Sequence, residues 1–443
     1  MNGVSVLLVI SLTSLLVGCH FGSEQSLVGD KNMTDQDFFN KVMMAEPLLP
    51  KQLEPFECEP KADGAKFHEH KTANQVNYQQ RGWPNRIAAD WDYFSIPASQ
   101  GKLLIIDYKK NGNELAYRYL SNGTQTDLYE PWSSSKVQAF TGAVAKVRSE
   151  SPQLGTHIYA GDTPLADLIT SINSYEAFGK ADGNSNAIAS YFINVAGRGY
   201  LTALFEDWLN LTDDRLLFNG AYASEVYQPS DDFWQDKINS KYRKQIDHYV
   251  NNQDDPAYLP YRCDKCGLTG NKAMTTLAQA EWLKRLASHD REVTTQMPHL
   301  QQADIQVLFN GVGHSDENSN VGGMMLGISQ IITNALARSL APDDTRTASE
   351  VLDELTQGQW RVWQKIGWGP SETRSATETV MLAHVCLANY QGGREFTISA
   401  QNALAGADEA NLPLVGKQMQ ANLEYAFTKL LSESNTQLSS NYP

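Results

Sequence analysis

The stretch Pro131-Trp132-Ser133-Ser134-Ser135-Lys136-Val137 places a serine and a lysine three residues apart at the predicted start of a helix. Residues i and i+3 lie on one face of a helix, so the Lys136 amine can reach the Ser133 hydroxyl. A serine hydroxyl is a poor nucleophile near neutral pH and needs an adjacent base. A desolvated lysine can be that base, because burial disfavours its charged form. The spacing predicts a nucleophile and its base, although S-x-x-K also occurs by chance on helical surfaces.

Predicted strands lie on both sides of a long helical block. Residues 101–108 and 114–120 flank an Asn-Gly-Asn turn and predict a β-hairpin. Apolar residues then recur at helical spacing, in the ranges 162–174, 185–209 and 274–287. The chain ends with three predicted strands and a helix, in the ranges 360–365, 379–388, 394–400 and 415–431. This order predicts an α/β (α+β) fold, with an antiparallel sheet built from both chain ends and a helical subdomain between them.

Two further motifs follow Ser133 along the chain. Asn184-Ser185-Asn186 begins a predicted helix, and Lys365-Ile366-Gly367-Trp368-Gly369 lies at a predicted strand. Together with the strand pair ahead of S-x-x-K, this order resembles the S-x-x-K, S-x-N and K-[ST]-G motifs of class A β-lactamases and penicillin-binding proteins. The resemblance covers roughly residues 90–431, with an insertion near 310–325, and implies the β-lactamase/transpeptidase-like fold.

The resemblance implies a role for each residue at a motif position. Ser133 is expected to be the acylated nucleophile and Lys136 its base. The backbone N–H groups of Ser133 and of Trp368, which follows Gly367, are expected to form an oxyanion hole that holds the tetrahedral oxygen. The implied substrate is a peptidoglycan peptide or a related small amide or ester, and no cofactor or metal is expected.

The other two motifs are also assigned by position, and both depart from the family pattern. Lys365 is expected to assist protonation and attract a substrate carboxylate, and Asn186 to hold Lys136 and a substrate amide. Asn184 occupies the serine position of S-x-N, unless a shift of one residue lets Ser185 serve. Ile366 replaces the hydroxyl of K-[ST]-G. Both hydroxyls normally contact a β-lactam carboxylate or relay a proton, so catalysis is open to question.

The region 211–262 carries no E-x-x-L-N stretch, and Glu225 is its only glutamate. Without a glutamate to activate the deacylating water, efficient β-lactam hydrolysis is not expected. Two functions stay open. One is an envelope serine hydrolase acting through Ser133, and the other is a catalytically degenerate lipoprotein that binds peptidoglycan or an envelope protein. The aromatic residues of this region either pack over the core or form a substrate lid lined by Tyr222, Tyr227, Phe233 and Trp234.

The N-terminus predicts an exported lipoprotein. Residues 4–17 form an apolar run too short to span a bilayer, which fits the central part of an export signal. The run ends in Leu16-Val17-Gly18-Cys19, which resembles the lipobox of bacterial lipoproteins, so Cys19 is the predicted lipidation site. No Lys or Arg precedes the run, and a plain secretory signal or an uncleaved anchor stays open. The predicted location is the cell envelope, at the outer membrane in a Gram-negative host because residue 20 is His rather than Asp.

Four cysteines remain after Cys19. An even number in an oxidising compartment favours disulfides. Cys263 and Cys266 have C-x-x-C spacing, which leaves a local disulfide, free thiols or a zinc knuckle as alternatives. Cys386 lies in an apolar run and is predicted to be a small buried hydrophobic residue.

Composition narrows the class of partner. The 443 residues include 36 basic and 51 acidic side chains, which gives a formal net charge of −15. A chain this acidic is not expected to bind nucleic acid, because such proteins concentrate positive charge. The predicted division is a signal at 1–19, a tether and wrapping segment at 20–88, a hydrolase domain at 89–431 and a polar tail at 432–443, with the helical subdomain at about 137–355.

Overall fold

The computed structural model of the protein describes residues 33–60, 69–259 and 272–432. Its main sheet has the strand order β1-β4-β3-β13-β12-β11, with the short β2 paired in parallel to β4. These strands are β1 (Lys71–Thr72), β2 (Ala88–Asp90), β3 (Lys102–Asn111), β4 (Glu114–Ser121), β11 (Trp360–Ser371), β12 (Ala376–Leu387) and β13 (Arg394–Ala405). Antiparallel pairing of β13 with β3, with Ile398 opposite Ile105, joins the two ends of the chain. The predicted fold class is confirmed.

The C-terminal strands are longer than the sequence indicated. The predicted strand at 360–365 continues to Ser371, because β11 stays in register with β12 as far as the pair Ser371 and Ala376. Gly367, Gly369 and Pro370 obscured this extension, since glycine and proline are both rare inside strands. Pro370 is tolerated because β11 lies at the edge of the sheet.

The helical block separates the two sets of strands. Its helices are α3 (Lys136–Glu150), α4 (Leu165–Ser174), α5 (Ser185–Ala196), α6 (Arg198–Asp207), α7 (Thr276–Ala287), α8 (Gln302–Asn310), α9 (Ile331–Leu340) and α10 (Ala348–Thr356). The prediction of a single helix over 185–209 is wrong at Gly197, which has φ +80° and ends α5 before α6 begins. Short strands accompany these helices at β5 (Tyr159–Ala160), β6 (Thr163–Pro164), β7 (Leu217–Phe218), β8 (Phe233–Gln235), β9 (Arg243–Gln245) and β10 (Lys272–Ala273).

The main sheet separates two hydrophobic cores. One face packs against α9, α10 and the terminal helix α11 (Leu412–Ser432), and its core includes Ile366. The other face packs against α7 and the helical block, and Trp363 contacts that core. Side chains alternate along a strand, so Lys365 and Gly367 lie on the same face of β11 as Trp363. This alternation places the K-x-G motif toward the helical block.

The N-terminal segment wraps around this body. The short helices α1 (Asp35–Phe38) and α2 (Ala73–Val76) belong to it, and Lys417 of α11 forms a salt bridge with Asp35, at 2.7 Å. A disulfide joins Cys58 to Cys386 on β12. The interpretation of Cys386 as a small hydrophobic residue is therefore wrong: the side chain is buried, but its partner arrives from 328 residues away, a distance that no local pattern reveals.

Some of the predictions concern cysteines, metal binding and membrane-spanning segments. Cys19, Cys263 and Cys266 lie outside the described residues. Across the described ranges, no three or more His, Cys, Asp or Glu side chains are grouped so that they would hold a metal ion. Within the same ranges, none of the helices combines the length and the apolar character needed to cross a bilayer.

Candidate active site

Ser133 lies on a short 3-10 turn, Trp132–Ser135, that leads directly into α3. Trp132 has φ +46°, in the left-handed region that costs energy for a residue with a side chain. Two contacts hold it there. The indole Nε1 donates to Glu378 Oε2 at 2.7 Å, and the ring packs against Gly369, where an added Cβ would overlap the indole. This fixed turn positions the half-buried Ser133 at the edge of β11.

Ser133 differs from the two serines that follow it. The Ser134 hydroxyl donates to the Pro131 carbonyl at 2.7 Å, and the Ser135 hydroxyl donates to the Trp132 carbonyl at 2.7 Å. In the described part of the chain, no main-chain carbonyl accepts a hydrogen bond from Ser133. Its hydroxyl proton is therefore available to a base.

Lys136 is fully buried at the start of α3. Its Nζ donates to Ser185 Oγ at 2.8 Å and to Asn186 Oδ1 at 2.7 Å. Ser185 Oγ must accept, because it donates its own proton to the Ile172 carbonyl at 2.7 Å. A neutral amine has two N–H groups and one lone pair, so these two acceptors satisfy both of its N–H groups and leave the lone pair open.

The electrostatics of the site favour the neutral form of this amine. Burial lowers the pKa of Lys136 well below its ordinary value, and the charge of Lys272 lowers it further. Burial also lowers the pKa of Lys365 well below its ordinary value, with a further contribution from Lys136. Among the described residues, neither Lys136 nor Lys365 forms a salt bridge. Both buried amines thus have the lowered pKa that a proton acceptor needs.

The K-x-G segment of β11 borders the nucleophile. Gly367 allows a close approach, because a Cβ at this position would overlap the backbone nitrogen of Ser133. The Ile366 carbonyl points to the open edge of the sheet, where it accepts from the Tyr175 hydroxyl at 3.1 Å. Backbone groups two residues apart point the same way along a strand, so the Trp368 N–H faces the same edge. The two predicted oxyanion donors therefore lie on neighbouring backbone segments.

Tyr175 is a site residue that sequence reasoning missed. It follows α4 with φ +61°, and its ring centroid lies 3.7 Å from Lys365 Nζ and 4.9 Å from Lys136 Nζ. Burial raises the pKa of its hydroxyl far above the ordinary value, and an interaction with the Ser133 side chain offsets part of that rise. Nothing in the sequence around Tyr175 marks it, since it comes from a helix end 42 positions after Ser133.

Tyr222 lies on the other side of Lys136. Its hydroxyl is 2.7 Å from Ser135 Oγ, and its ring centroid lies 5.1 Å from Lys136 Nζ and 4.7 Å from Lys272 Nζ. Lys272 forms a salt bridge with Glu130, at 3.2 Å. Tyrosine rings thus lie beside all three lysines of the site. The carboxylate of Glu130 contacts Lys272 rather than Lys136.

The other proposed lid residues have packing roles. Trp234 is fully buried, and its indole donates to the Tyr191 hydroxyl at 2.8 Å. The Tyr227 hydroxyl donates to Thr163 Oγ1 at 3.0 Å, and the Arg243 guanidinium stacks on the Phe233 ring at 3.6 Å. Of the four aromatic residues, Tyr222 is the one that contacts the Ser133 region.

The S-x-N segment begins α5, and its three residues make different contacts. The Asn184 side chain caps the helix by accepting from the Ala187 N–H at 3.1 Å, so it points along the backbone rather than toward Lys136. Ser185 and Asn186 contact Lys136 instead. Ser185 rather than Asn184 is therefore the S-x-N residue whose hydroxyl contacts Lys136, which is the one-residue shift that the sequence left open. Glu225 is exposed and pairs through its backbone with Asn251.

Comparison with known proteins gives matches in structure alone. Neither the protein-family models nor the curated protein sequences contain a match to this chain. A variant of the extended-spectrum β-lactamase TLA-1 is 12% identical, with a TM-score of 0.41, over 75% of this chain and 93% of that chain. The structure of PBP-A is 9% identical, with a TM-score of 0.38, over 74% and 89%. A β-lactamase from Burkholderia vietnamiensis is 14% identical, with a TM-score of 0.38, over 77% and 93%.

These solved structures belong to the two groups that the order of motifs predicted, β-lactamases and penicillin-binding proteins. At such identities the likeness is one of fold. The chemistry of the site has to be argued from its own geometry.

Proposed function

We propose that the protein is a serine hydrolase that forms an acyl-enzyme at Ser133, with Lys136 as the base. The observation that carries the proposal is the hydrogen bonding of Lys136. Its two acceptors, Ser185 and Asn186, take both N–H groups of a neutral amine and leave the lone pair free. Burial lowers the pKa of the amine well below its ordinary value, and Ser133 lies one helical turn before Lys136.

The reaction begins with proton transfer from Ser133 Oγ to the Lys136 lone pair. The oxygen attacks a substrate carbonyl carbon, and the carbonyl π electrons move to its oxygen. That oxyanion is held by the backbone N–H groups of Ser133 and Trp368. Collapse of the intermediate expels the amine or alcohol, which receives the proton, and the acyl group stays on Ser133. Water then attacks the ester in the same way and frees the serine.

Tyr175 supplies the hydroxyl that the K-x-G motif lacks. Ile366 stands where the family has a hydroxyl group, whereas the Tyr175 hydroxyl lies between Ser133 and the Ile366 carbonyl. We assign it the relay of the proton to the leaving group. A relay gives up one proton as it receives another, so it does not require a stable phenolate, which the raised pKa of Tyr175 would disfavour.

The substrate class we propose is a peptidoglycan peptide or a related amide or ester. The buried Lys365 amine would donate a hydrogen bond to a substrate carboxylate, whose negative charge would favour the protonated form of the amine, and the exposed Asn186 side chain would bind a substrate amide. Deacylation is expected to be slow, because the carboxylate at the site pairs with Lys272 rather than facing Ser133. The acyl-enzyme should therefore accumulate.

We also propose that the protein is anchored in the cell envelope through a lipid on Cys19. The support is the Leu16-Val17-Gly18-Cys19 sequence after an apolar run. Cells expressing the full chain should incorporate labelled palmitate into it, and Cys19→Ser should abolish incorporation. Equal labelling of wild type and Cys19→Ser would contradict the anchor.

Intact-mass spectrometry tests the acyl-enzyme directly. Residues 20–443 are incubated with a fluorophosphonate and, separately, with a fluorescent penicillin. The wild-type chain should gain one adduct with the fluorophosphonate, and Ser133→Ala should gain none. Ser134→Ala is the matched control: its hydroxyl is committed to the Pro131 carbonyl, so this variant should keep the adduct.

The two probes separate the two functions. Penicillin labelling that depends on Ser133 would support a peptidase-like activity. An adduct that persists in Ser133→Ala would contradict the nucleophile assignment. No adduct with either probe in a folded protein would favour the alternative, a degenerate lipoprotein that binds peptidoglycan or an envelope protein. The loss of a motif hydroxyl at Ile366 favours that alternative.

A further inference from the structure

A cavity of about 780 Å³ lies at the other end of β11 from Ser133. Its walls are residues 53–58 of the wrapping segment, the end of α8 with the loop after it, and the first residues of β11. Arg361 and Trp363 line it, and they share a face of β11 with Lys365 because side chains alternate along the strand. Its volume is in the range of pockets that hold a small organic ligand.

Arg361 is a buried cation in the wall of this cavity, with 4% of its surface exposed. Its guanidinium donates to the main-chain carbonyls of Trp360 and Glu54, both at 2.8 Å, and stacks on the Phe56 ring at 4.6 Å. Within the described residues, no carboxylate forms a salt bridge with it. Burial without a compensating anion lowers its pKa to about 10. A buried charge without a partner is expensive and calls for an anion.

The other cation of the cavity is already neutralised. Arg291 forms a bidentate pair with the buried Glu395, at 2.5 and 2.9 Å. His384, which also lines the cavity, contacts the same carboxylate at 3.2 Å. Arg361 is thus the group that has donors and charge to offer to a ligand.

The rest of the lining is apolar or negatively charged. Phe309 and Trp363 form an aromatic wall, with ring centroids 5.4 Å apart, and the Trp363 indole donates to Asn310 at 3.0 Å. The exposed carboxylates of Glu54, Glu57 and Asp290 surround the opening. One inner cation suits a single negative charge, while these acids repel a ligand with several.

We propose that this cavity binds a small monocarboxylate with an apolar body. The carboxylate contacts the Arg361 guanidinium, and the apolar body packs against Trp363 and Phe309. A planar guanidinium is well suited to a carboxylate because it can form two parallel hydrogen bonds. The site is separate from Ser133 and does not depend on acyl transfer there.

Isothermal titration calorimetry with matched probes tests the proposal. N-acetylleucine carries the carboxylate, N-acetylleucinamide replaces it by a neutral amide of the same shape, and inorganic phosphate carries more charge without an apolar body. N-acetylleucine should bind saturably, and the amide should bind about tenfold more weakly or worse, as expected for loss of a charge-assisted hydrogen bond. Phosphate should not compete. Equal affinity for acid and amide, or no saturable binding of the acid, would overturn the proposal.

Single substitutions test whether the ligand binds in this cavity. Arg361→Met should weaken acid binding by about tenfold or more and leave amide binding unchanged. Arg215→Met is the matched control, because it removes an exposed guanidinium that pairs with Asp213 outside the cavity, and it should keep full acid affinity. Acid affinity that is unchanged in Arg361→Met, or that falls equally in Arg215→Met, would overturn the proposal. If Arg361→Met does not fold, Asn310→Asp serves instead, because it adds a like charge beside Trp363. Acid affinity unaffected by Asn310→Asp would then overturn the proposal.

Discussion

Two groups of buried cations in this protein have opposite surroundings. In the first group, Arg285 and Lys284 of α7 contact Glu281 at 2.7 and 3.4 Å, and Arg291, which follows α7, pairs with Glu395. Beside Ser133, the amine of Lys136 contacts a hydroxyl and an amide oxygen instead of a carboxylate. Both groups are desolvated, but only the first is neutralised within the described chain.

The difference separates structural charges from reactive ones. A buried ion pair offsets part of the desolvation of both members, and its main effect is on folding. A buried amine without a carboxylate lowers its pKa and becomes a base. The Arg361 guanidinium belongs with Lys136 and Lys365 in this respect, which is why we interpret its cavity as a ligand site.

Lys136→Met should have the largest effect. Removing the base should slow the labelling of Ser133 by a fluorophosphonate by about 10²- to 10⁴-fold. The midpoint of thermal unfolding should stay the same or rise, because a desolvated amine is replaced by an apolar chain of similar length. Labelling time courses and a thermal melt measure both. A large loss of stability together with unchanged labelling would remove Lys136 from the reactive group.

Glu395→Gln should show the opposite pattern. It leaves Arg291 and His384 beside a neutral amide, so the free energy of unfolding should fall by about 3–5 kcal/mol. The labelling rate of the folded fraction should not change. Urea unfolding measures the loss. Glu150→Gln, which breaks exposed pairs with Lys146 and Lys244, should lower the free energy of unfolding by no more than about 1 kcal/mol. Equal losses of the free energy of unfolding in Glu395→Gln and Glu150→Gln would contradict the structural role of the buried ion pair.

Tyr175→Phe removes one hydroxyl and keeps the ring between the two lysines. Labelling of Ser133 by penicillin should slow by about tenfold to a hundredfold, the value of one hydrogen bond in the reaction. Tyr222→Phe is the matched control, because its hydroxyl contacts Ser135 rather than Ser133. The same rate loss in both variants would mean that Tyr175 acts through packing.

The pH dependence of stability and of Ser133 labelling should be the smallest effect. It is also the effect most specific to a buried amine without a carboxylate partner, such as Lys136. The ordinary pKa of lysine is 10.5, and the pKa of Lys136 in the folded chain is lower. Between the two values the unfolded chain binds the extra proton, so the free energy of unfolding rises with pH, by up to about 1.4 kcal/mol per pH unit for this group.

The labelling rate should rise through the lower end of the same window, as Lys136 loses its proton in the folded state. Urea unfolding and labelling at a series of pH values measure the two effects. The contribution of this one amine to the stability slope should disappear in Lys136→Met. An unchanged slope in that variant would show that Lys136 keeps an ordinary pKa.

The outcome of the sequence predictions follows the range of the interactions involved. Ser133 and Lys136 could be proposed from the sequence because S-x-x-K is a local pattern, and Lys365 and Gly367 because they lie together on one strand. Tyr175 was missed because its place between the two lysines depends on how α4 ends against β11. Cys386 was misinterpreted for the same reason, since its partner lies in a distant wrapping segment.

The sequence by itself determined the class of fold and the order of the motifs, and it singled out the serine and the lysine that we propose as nucleophile and base. Periodicity, glycines and short motifs are properties of neighbouring residues, and they survive without knowledge of packing. The tertiary structure decided which hydroxyls surround Ser133, that Ser185 contacts Lys136 while Asn184 caps a helix, and that Arg361 has no carboxylate beside it. Such features depend on which distant side chains are buried together, and burial sets both the pKa of an amine and its need for a partner.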